Sequence, residues 1–162
     1  MKSELAIKLP VCARLELLKD KMKIYKFLPH TADAKFQAYG KNLDEAFKNA
    51  AYAMTDVITD IRKIKAKVRK KISVKSEDEK ALLYDFLERF LFLLDTKRFL
   101  LAKINKIKIE KTAKGFRLNA EVSGDNKPEN YQIKTAIKAV TYQEMLVKKG
   151  KSKVTVQVVV DI

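Results

Sequence analysis

At 162 residues, 47% of them apolar, with four Gly and three Pro, the chain has the composition of one globular domain able to bury a sizeable core. One cysteine, Cys12, excludes a disulfide framework or a zinc cluster and fits a reducing compartment. The net charge of +15, from 35 basic against 20 acidic residues, suits RNA, DNA or an acidic protein surface as partner, and equally the lysine enrichment of some heat-adapted organisms.

Residues 1–21 show no clean period, mixing Leu5, Ile7, Leu9 and Val11 with Leu15, Leu17 and Leu18. They read as an upstream extension, poorly ordered or from a misplaced start codon, or as a short amphipathic helix over residues 11–21; the domain proper runs from 22 to 162. Lys8, Pro10 and Arg14 break the only N-terminal apolar stretch, so no secretory signal is read there. The longest wholly apolar run, residues 90–94, is far short of a membrane span, and a cytoplasmic location is expected.

A half-apolar strand over residues 23–28 runs into Pro29-His30-Thr31-Ala32-Asp33, and an alternating strand over residues 35–39 stops at Gly40. The join holds an imidazole, a hydroxyl and a carboxylate within four residues, including the only histidine. Two readings stand: Thr31 and Asp33 satisfy backbone donors in a turn, or Asp33 is a metal ligand that needs a second oxygen source elsewhere.

Asn42 is positioned as an N-cap, with Asp44 and Glu45 in the first turn. Leu43, Ala46, Phe47, Ala50, Ala51, Met54 and Val57 then recur at helical spacing, with alanines for close packing on a sheet. Beyond Asp60 a strand is expected in which Ile64, Ala66, Val68, Ile72 and Val74 face one way and Lys63, Lys65, Lys67, Arg69, Lys71 and Lys75 the other, with Lys70 as the misfit. That basic stripe is either a surface for phosphate backbone or a solvated, blunted sheet face; no aromatic residue interleaves to stack bases.

Ser76, followed by Glu77, Asp78 and Glu79, is the expected cap of a second helix, whose Leu82, Leu83, Phe86, Leu87, Phe90, Leu91 and Leu94 form a broad apolar stripe ending near residues 95–98. Residues 99–111 alternate with a mid-strand shift, as a bulge requires, and Gly115 turns them into a strand over residues 116–122. Residues 123–128 read as a loop and residues 133–147 as strand or helix. Lys149-Gly150-Lys151-Ser152 turns into a terminal strand over residues 154–161. No glycine-rich phosphate loop, nucleophile elbow or His/Cys metal spacing occurs, which argues against an independent hydrolase.

His30-Thr31-Ala32-Asp33, the helix over residues 43–54, Ala81-Leu82-Leu83-Tyr84-Asp85-Phe86-Leu87, Lys138-Ala139-Val140-Thr141-Tyr142 and the terminal Val158-Val159-Val160-Asp161-Ile162 resemble the archease family across residues 22–162. The resemblance implies an α+β fold, a single domain of two helices packed on antiparallel or mixed β-sheet, and it favours the strand reading for the ambiguous segment. It implies an accessory protein, not itself an enzyme, that assists an RtcB-type RNA ligase in tRNA splicing, promoting guanylylation of the ligase and multiple turnover, with tRNA met through the ligase. It further implies a metal site at Asp33, Asp161 and Ile162, with His30 and Thr31 close behind. Such hard oxygen donors suit Ca²⁺ first, and Mg²⁺ or Mn²⁺ next. The chain departs from the family in two places: Gln143 stands where a histidine commonly follows Val-Thr-Tyr, and Pro29 stands where a glutamate usually precedes the His-Thr-Ala-Asp motif. The competing function is a basic RNA-binding module without a metal-dependent role.

Overall fold

The computed structural model describes residues 24–162; the expectations for residues 1–21 fall outside the described residues. Seven strands form two antiparallel sheets. The first, in order β1-β2-β7-β6, joins Tyr25–Leu28 (β1), Asp33–Gly40 (β2), Val154–Asp161 (β7) and Ala139–Lys149 (β6). The second, in order β3-β5-β4, joins Val68–Ser76 (β3), Gly115–Asp125 (β5) and Leu100–Thr112 (β4). Helices α1 (Leu43–Ile58) and α2 (Glu79–Lys97) each contact both sheets. The expected α+β fold of two helices on antiparallel sheet is the one observed, with the strands divided between two sheets.

The inner faces follow from strand alternation. Phe36 and Ala38 on β2 lie opposite Val158 and Val156 on β7, all fully buried. On the second sheet Leu118, Ala120 and Val122 pair with Val74, Ile72 and Lys70. Lys70, the misfit in the alternation, therefore points inward at the sheet margin, where its ammonium lies 5.6 Å from the centre of the Phe99 ring. Between the sheets, Phe86 is fully buried, stacked on Phe47 at 6.4 Å and edge-on to Phe90 at 5.0 Å.

The helices also reach two of the four sheet edges. β4 and β6 are edge strands, and an edge strand presents unpaired amides that otherwise recruit other chains. Tyr52 and Asp44 of α1 accept from the amides of Ile104 and Ile109 on β4 at 2.9 Å each, and Glu88 of α2 accepts from Val140 on β6 at 2.7 Å.

Several local expectations are corrected. Ser76 does not cap α2: it is still paired in β3, and its hydroxyl donates to Asp85. Asp78 is the N-cap, accepting from the Ala81 amide at 2.8 Å, whereas Asn42 caps α1 as expected. The strand expected from Ile64 starts at Val68, because Asp60 caps a 3-10 turn, Ile61–Lys63, through the Arg62 amide. Of the basic stripe, Lys63, Lys65 and Lys67 thus lie off the strand. Ser123, Gly124 and Asp125 belong to β5, since Gly124 pairs with Leu101 and a Cβ there would lie 1.9 Å from the Leu100 carbonyl oxygen. The bulge in β4 is present as two register shifts. Residues 139–149 form a strand, but residues 133–138 form none: the Lys134 amide donates to the Ile58 carbonyl and the Lys138 amide to the Asp161 carbonyl.

Candidate functional site

Three strands supply the site at one end of the first sheet. In the β2–β7 ladder Asp33 lies directly opposite Asp161, and across β7 Asp161 lies opposite Ala139. Directly opposed residues of an antiparallel pair present their side chains on the same face. Alternation places Asp33 and Asp161 on the face turned away from the helices, since Ala34 and Val160, one residue along, pair within the buried interior. The next row on that face is Lys35, Val159 and Thr141. Val159 is fully buried although it lies on this outer face, so the site has an apolar floor. Ile162 follows β7 and is 37% exposed.

The turn before β2 brings His30 to the row. Ala32 holds φ at 66°, a left-handed conformation uncommon for a residue with a Cβ. His30 Nδ1 is buried, has no hydrogen-bond partner, and lies 3.8 Å from Asp33 Oδ2, beyond hydrogen-bond reach. Its Nε2 is 3.1 Å from Glu144 Oε2, and Lys35 Nζ is 3.6 Å from the same oxygen. Neither Thr31 nor Asp33 accepts from a backbone amide among the described residues, so the turn-chemistry reading does not describe this loop; Thr31 is exposed. The Asp161 carboxylate takes no hydrogen bond or ion pair among the described residues, while its main-chain carbonyl accepts from the Lys138 amide at 2.7 Å.

Glu144 reaches the site because β6 bulges between Thr141 and Leu146, and Glu144 itself takes a φ of 53°. A polar chain on the same face fixes the bulge. The Tyr39 hydroxyl donates to Gln37 Oε1 at 2.9 Å, Gln37 Nε2 to Gln157 Oε1 at 2.9 Å, and Gln157 Nε2 to the Glu144 carbonyl at 2.8 Å. Desolvation raises the Tyr39 pKa, keeping that hydroxyl a donor. Sequence reasoning missed Lys35, Gln37, Glu144 and Gln157. The outward alternation of β2 and the lone glutamine in Val154–Asp161 were the available signals; Glu144 had none, because only the bulge brings it in. Gln143, standing in the position of the family's common histidine, is exposed beside it.

The two carboxylates supply hard oxygen donors, the type a divalent cation such as Ca²⁺ takes. Two carboxylates face each other across one ladder, where like charges are mutually destabilising unless a cation joins them. Beside them lies a buried imidazole nitrogen without a partner. No cluster of three or more His, Cys, Asp or Glu side chains suited to a metal occurs among the described residues, so main-chain or partner oxygens would have to complete the coordination.

These observations define a class: a small two-sheet α+β domain with a paired-carboxylate row where its second and last described strands meet. The sequence model of the Archease protein family (MTH1598/TM1083) matches residues 25–162. The chain is 38% identical over 129 residues to "Protein archease" of Pyrococcus abyssi, covering 79% of this chain and 90% of that one. It is 36% identical over 141 residues to the Methanothermobacter thermautotrophicus "Protein archease", covering 87% and 100%. The solution structure of Methanobacterium thermoautotrophicum protein 1598 aligns with a TM-score of 0.78 at 36% identity, covering 87% of this chain and all of that one. A Thermotoga maritima structure described as an archease, possible chaperone, shares the fold at a TM-score of 0.54 and 17% identity, covering 85% and 96%. The chain belongs to the archease family. None of these names denotes a catalysed reaction, and no helix among the described residues is long and apolar enough to cross a membrane.

Proposed function

We propose that this archease is an accessory factor of an RtcB-type RNA ligase, acting in the cytoplasm during tRNA splicing to promote guanylylation of the ligase and its repeated turnover. In this reading the protein catalyses nothing alone and meets tRNA through the ligase. Asp33, Asp161 and the main chain of Ile162 hold a divalent ion, Ca²⁺ before Mg²⁺ or Mn²⁺. The observation that carries the reading is the register that sets Asp161 across from Asp33.

Both carboxylates are hard oxygen donors, and Ca²⁺ takes six to eight such ligands. Two side chains and one main-chain group leave positions for water or for oxygens of a partner, which fits a site meant to act against another molecule. A bound divalent ion would neutralise the paired carboxylates and offer positive charge to nucleotide phosphate oxygens. His30, held on its far side by Glu144, sits where it limits the swing of Asp33. Thr31, exposed and without a side-chain hydrogen bond among the described residues, is available to the partner.

The test is RNA ligation with substrate in excess over ligase, with and without this protein. Wild type is expected to raise turnover, and Asp33→Ala and Asp161→Ala to abolish that stimulation while the ligase's single-turnover sealing persists. Turnover that does not change on adding wild type ends the proposal; full stimulation by both variants removes the carboxylates from it.

A further inference from the structure

The outer face of the second sheet carries a separate concentration of charge. Its rows are Arg69, Ser123 and Lys103; Lys71, Glu121 and Lys106; Ser73, Asn119 and Lys108; and Lys75, Arg117 and Glu110. Seven cations stand against two carboxylates, a steeper excess than the 35 to 20 of the whole chain. None of the seven forms an ion pair within 4.0 Å among the described residues, although the same surface offers Glu110 and Glu121. Six of the seven are exposed; the exception, Arg117, has a buried Nε with no hydrogen-bond partner. A depression of about 390 Å³ lies in the middle, lined by Lys71, Ser73, Lys106, Lys108, Asn119 and Glu121.

We propose that this face binds the phosphate backbone of a nucleic-acid duplex. The side chains decide between polyanions. A protein interface is built around a desolvated core rich in aromatic and apolar residues, and the four rows contain none. Single-stranded nucleic acid is held by stacking its bases on aromatic rings, and these rows offer no ring. Cations stand about 6.8 Å apart at Arg69 and Lys71 along β3 and at Lys106 and Lys108 along β4, and those two strands lie about 9.6 Å apart with β5 between them, a spacing set by the sheet that suits a regular backbone of repeating charge. Asn119 and Ser73 add hydrogen-bonding groups at the centre. Sequence identity is not read, because a flat sheet face reaches phosphates rather than base edges.

The proposal concerns the second sheet and is independent of the carboxylate row on the first, so its test needs neither ligase nor divalent ion. Binding of the full chain to labelled RNA and DNA duplexes of about twenty base pairs is followed by anisotropy across a salt series in chelator. On a duplex each neutralised phosphate contributes about 0.9 to the slope of log K against log salt, so engagement of about five predicts a roughly 500-fold loss between 50 and 200 mM. Lys71→Glu with Lys106→Glu is expected to lower that slope by about 2 and to weaken binding about tenfold or more at intermediate salt. Lys97→Glu with Lys151→Glu makes the same change in net charge at exposed positions outside this face and is expected to leave the slope intact. Glu121→Gln removes the central carboxylate and is expected to tighten binding several-fold. Melting curves check that each variant is folded. Equal weakening by the two double variants, tighter binding to single strands of the same length, or equal competition by polyglutamate would overturn the assignment.

Discussion

Replacing Asp161 by Asn separates two effects of one carboxylate, its repulsion of Asp33 and its grip on a cation. Opposed residues on antiparallel strands hold their Cβ atoms about 5 Å apart. Two unit charges at that distance repel by about 0.8 kcal/mol in water and about 3 kcal/mol at an effective dielectric of 20. The Asp33 side chain is 24% exposed, so water still reaches the pair and the lower figure, about 1 kcal/mol, is the least the repulsion amounts to. In a chelator, Asp161→Asn is therefore expected to melt about 2–4 °C above wild type, the usual response of a domain of this size to 1 kcal/mol. Adding an ion reverses the order. A ligand at a hundred times its Kd stabilises by about 2.7 kcal/mol, so wild type should rise by about 5–10 °C while the variant stays in place. Scanning calorimetry in chelator and in Ca²⁺, Mg²⁺ or Mn²⁺ up to about 10 mM reads both effects: a site with a Kd of about 0.1 mM reaches the hundredfold excess, and one near 1 mM, the weak end for calcium modules, reaches tenfold and about half the shift. A variant less stable than wild type in chelator would show that the pair is not repulsive. A wild-type Tm indifferent to all three ions would refute the cation site.

Two other substitutions test neighbouring parts of the reasoning. The Tyr131 hydroxyl, 2.6 Å from Asp125 Oδ2, is the main reason this buried carboxyl sits below its ordinary 3.8. A depressed folded pKa stabilises fully above the unfolded value and fades as pH falls through the folded one. Tyr131→Phe should thus cost about 1.5–3 kcal/mol in urea denaturation at pH 7, and progressively less below pH 3.8; a cost constant with pH would contradict the pairing. Glu144→Gln leaves Lys35 without its carboxylate two residues from Asp33 on the same face, and should weaken ion binding about fivefold, roughly 1 kcal/mol. Titration calorimetry reads it, and unchanged affinity would mean that Lys35 does not reach the row.

What could be read from the sequence was local. The cap at Asn42, the alternation of β2 and β7, the turn at Gly150 and the shifted pattern of β4 each follow from side-chain preference within a few residues, and the structure holds all of them. Misreadings came where a nearby residue was better placed for the same task. Asp78 took the cap expected of Ser76 because Ser76 was still committed to the β3 ladder, and Asp60 turned the chain before Lys63 could enter a strand. The opposition of Asp33 and Asp161 belongs to neither group. A ladder between residues 128 positions apart leaves no trace in spacing, so only family resemblance brought the two aspartates together on paper.

The placement of charge explains how a protein of net charge +15 could keep a cation site. At physiological ionic strength interactions between exposed charges fade beyond about 8 Å, so the basic array on the second sheet contributes little at the end of the first. What matters is the immediate shell. There Glu144 stands against both Lys35 and His30 Nε2, the two basic groups nearest the row, and leaves the carboxylates of Asp33 and Asp161 without a full cationic partner. The β6 bulge, which interrupts a ladder and forces a positive φ on Glu144, is therefore an electrostatic device as much as a structural one. It costs regular pairing between Thr141 and Leu146, and in exchange sets a third carboxylate beside the Asp33–Asp161 row on a strongly positive molecule.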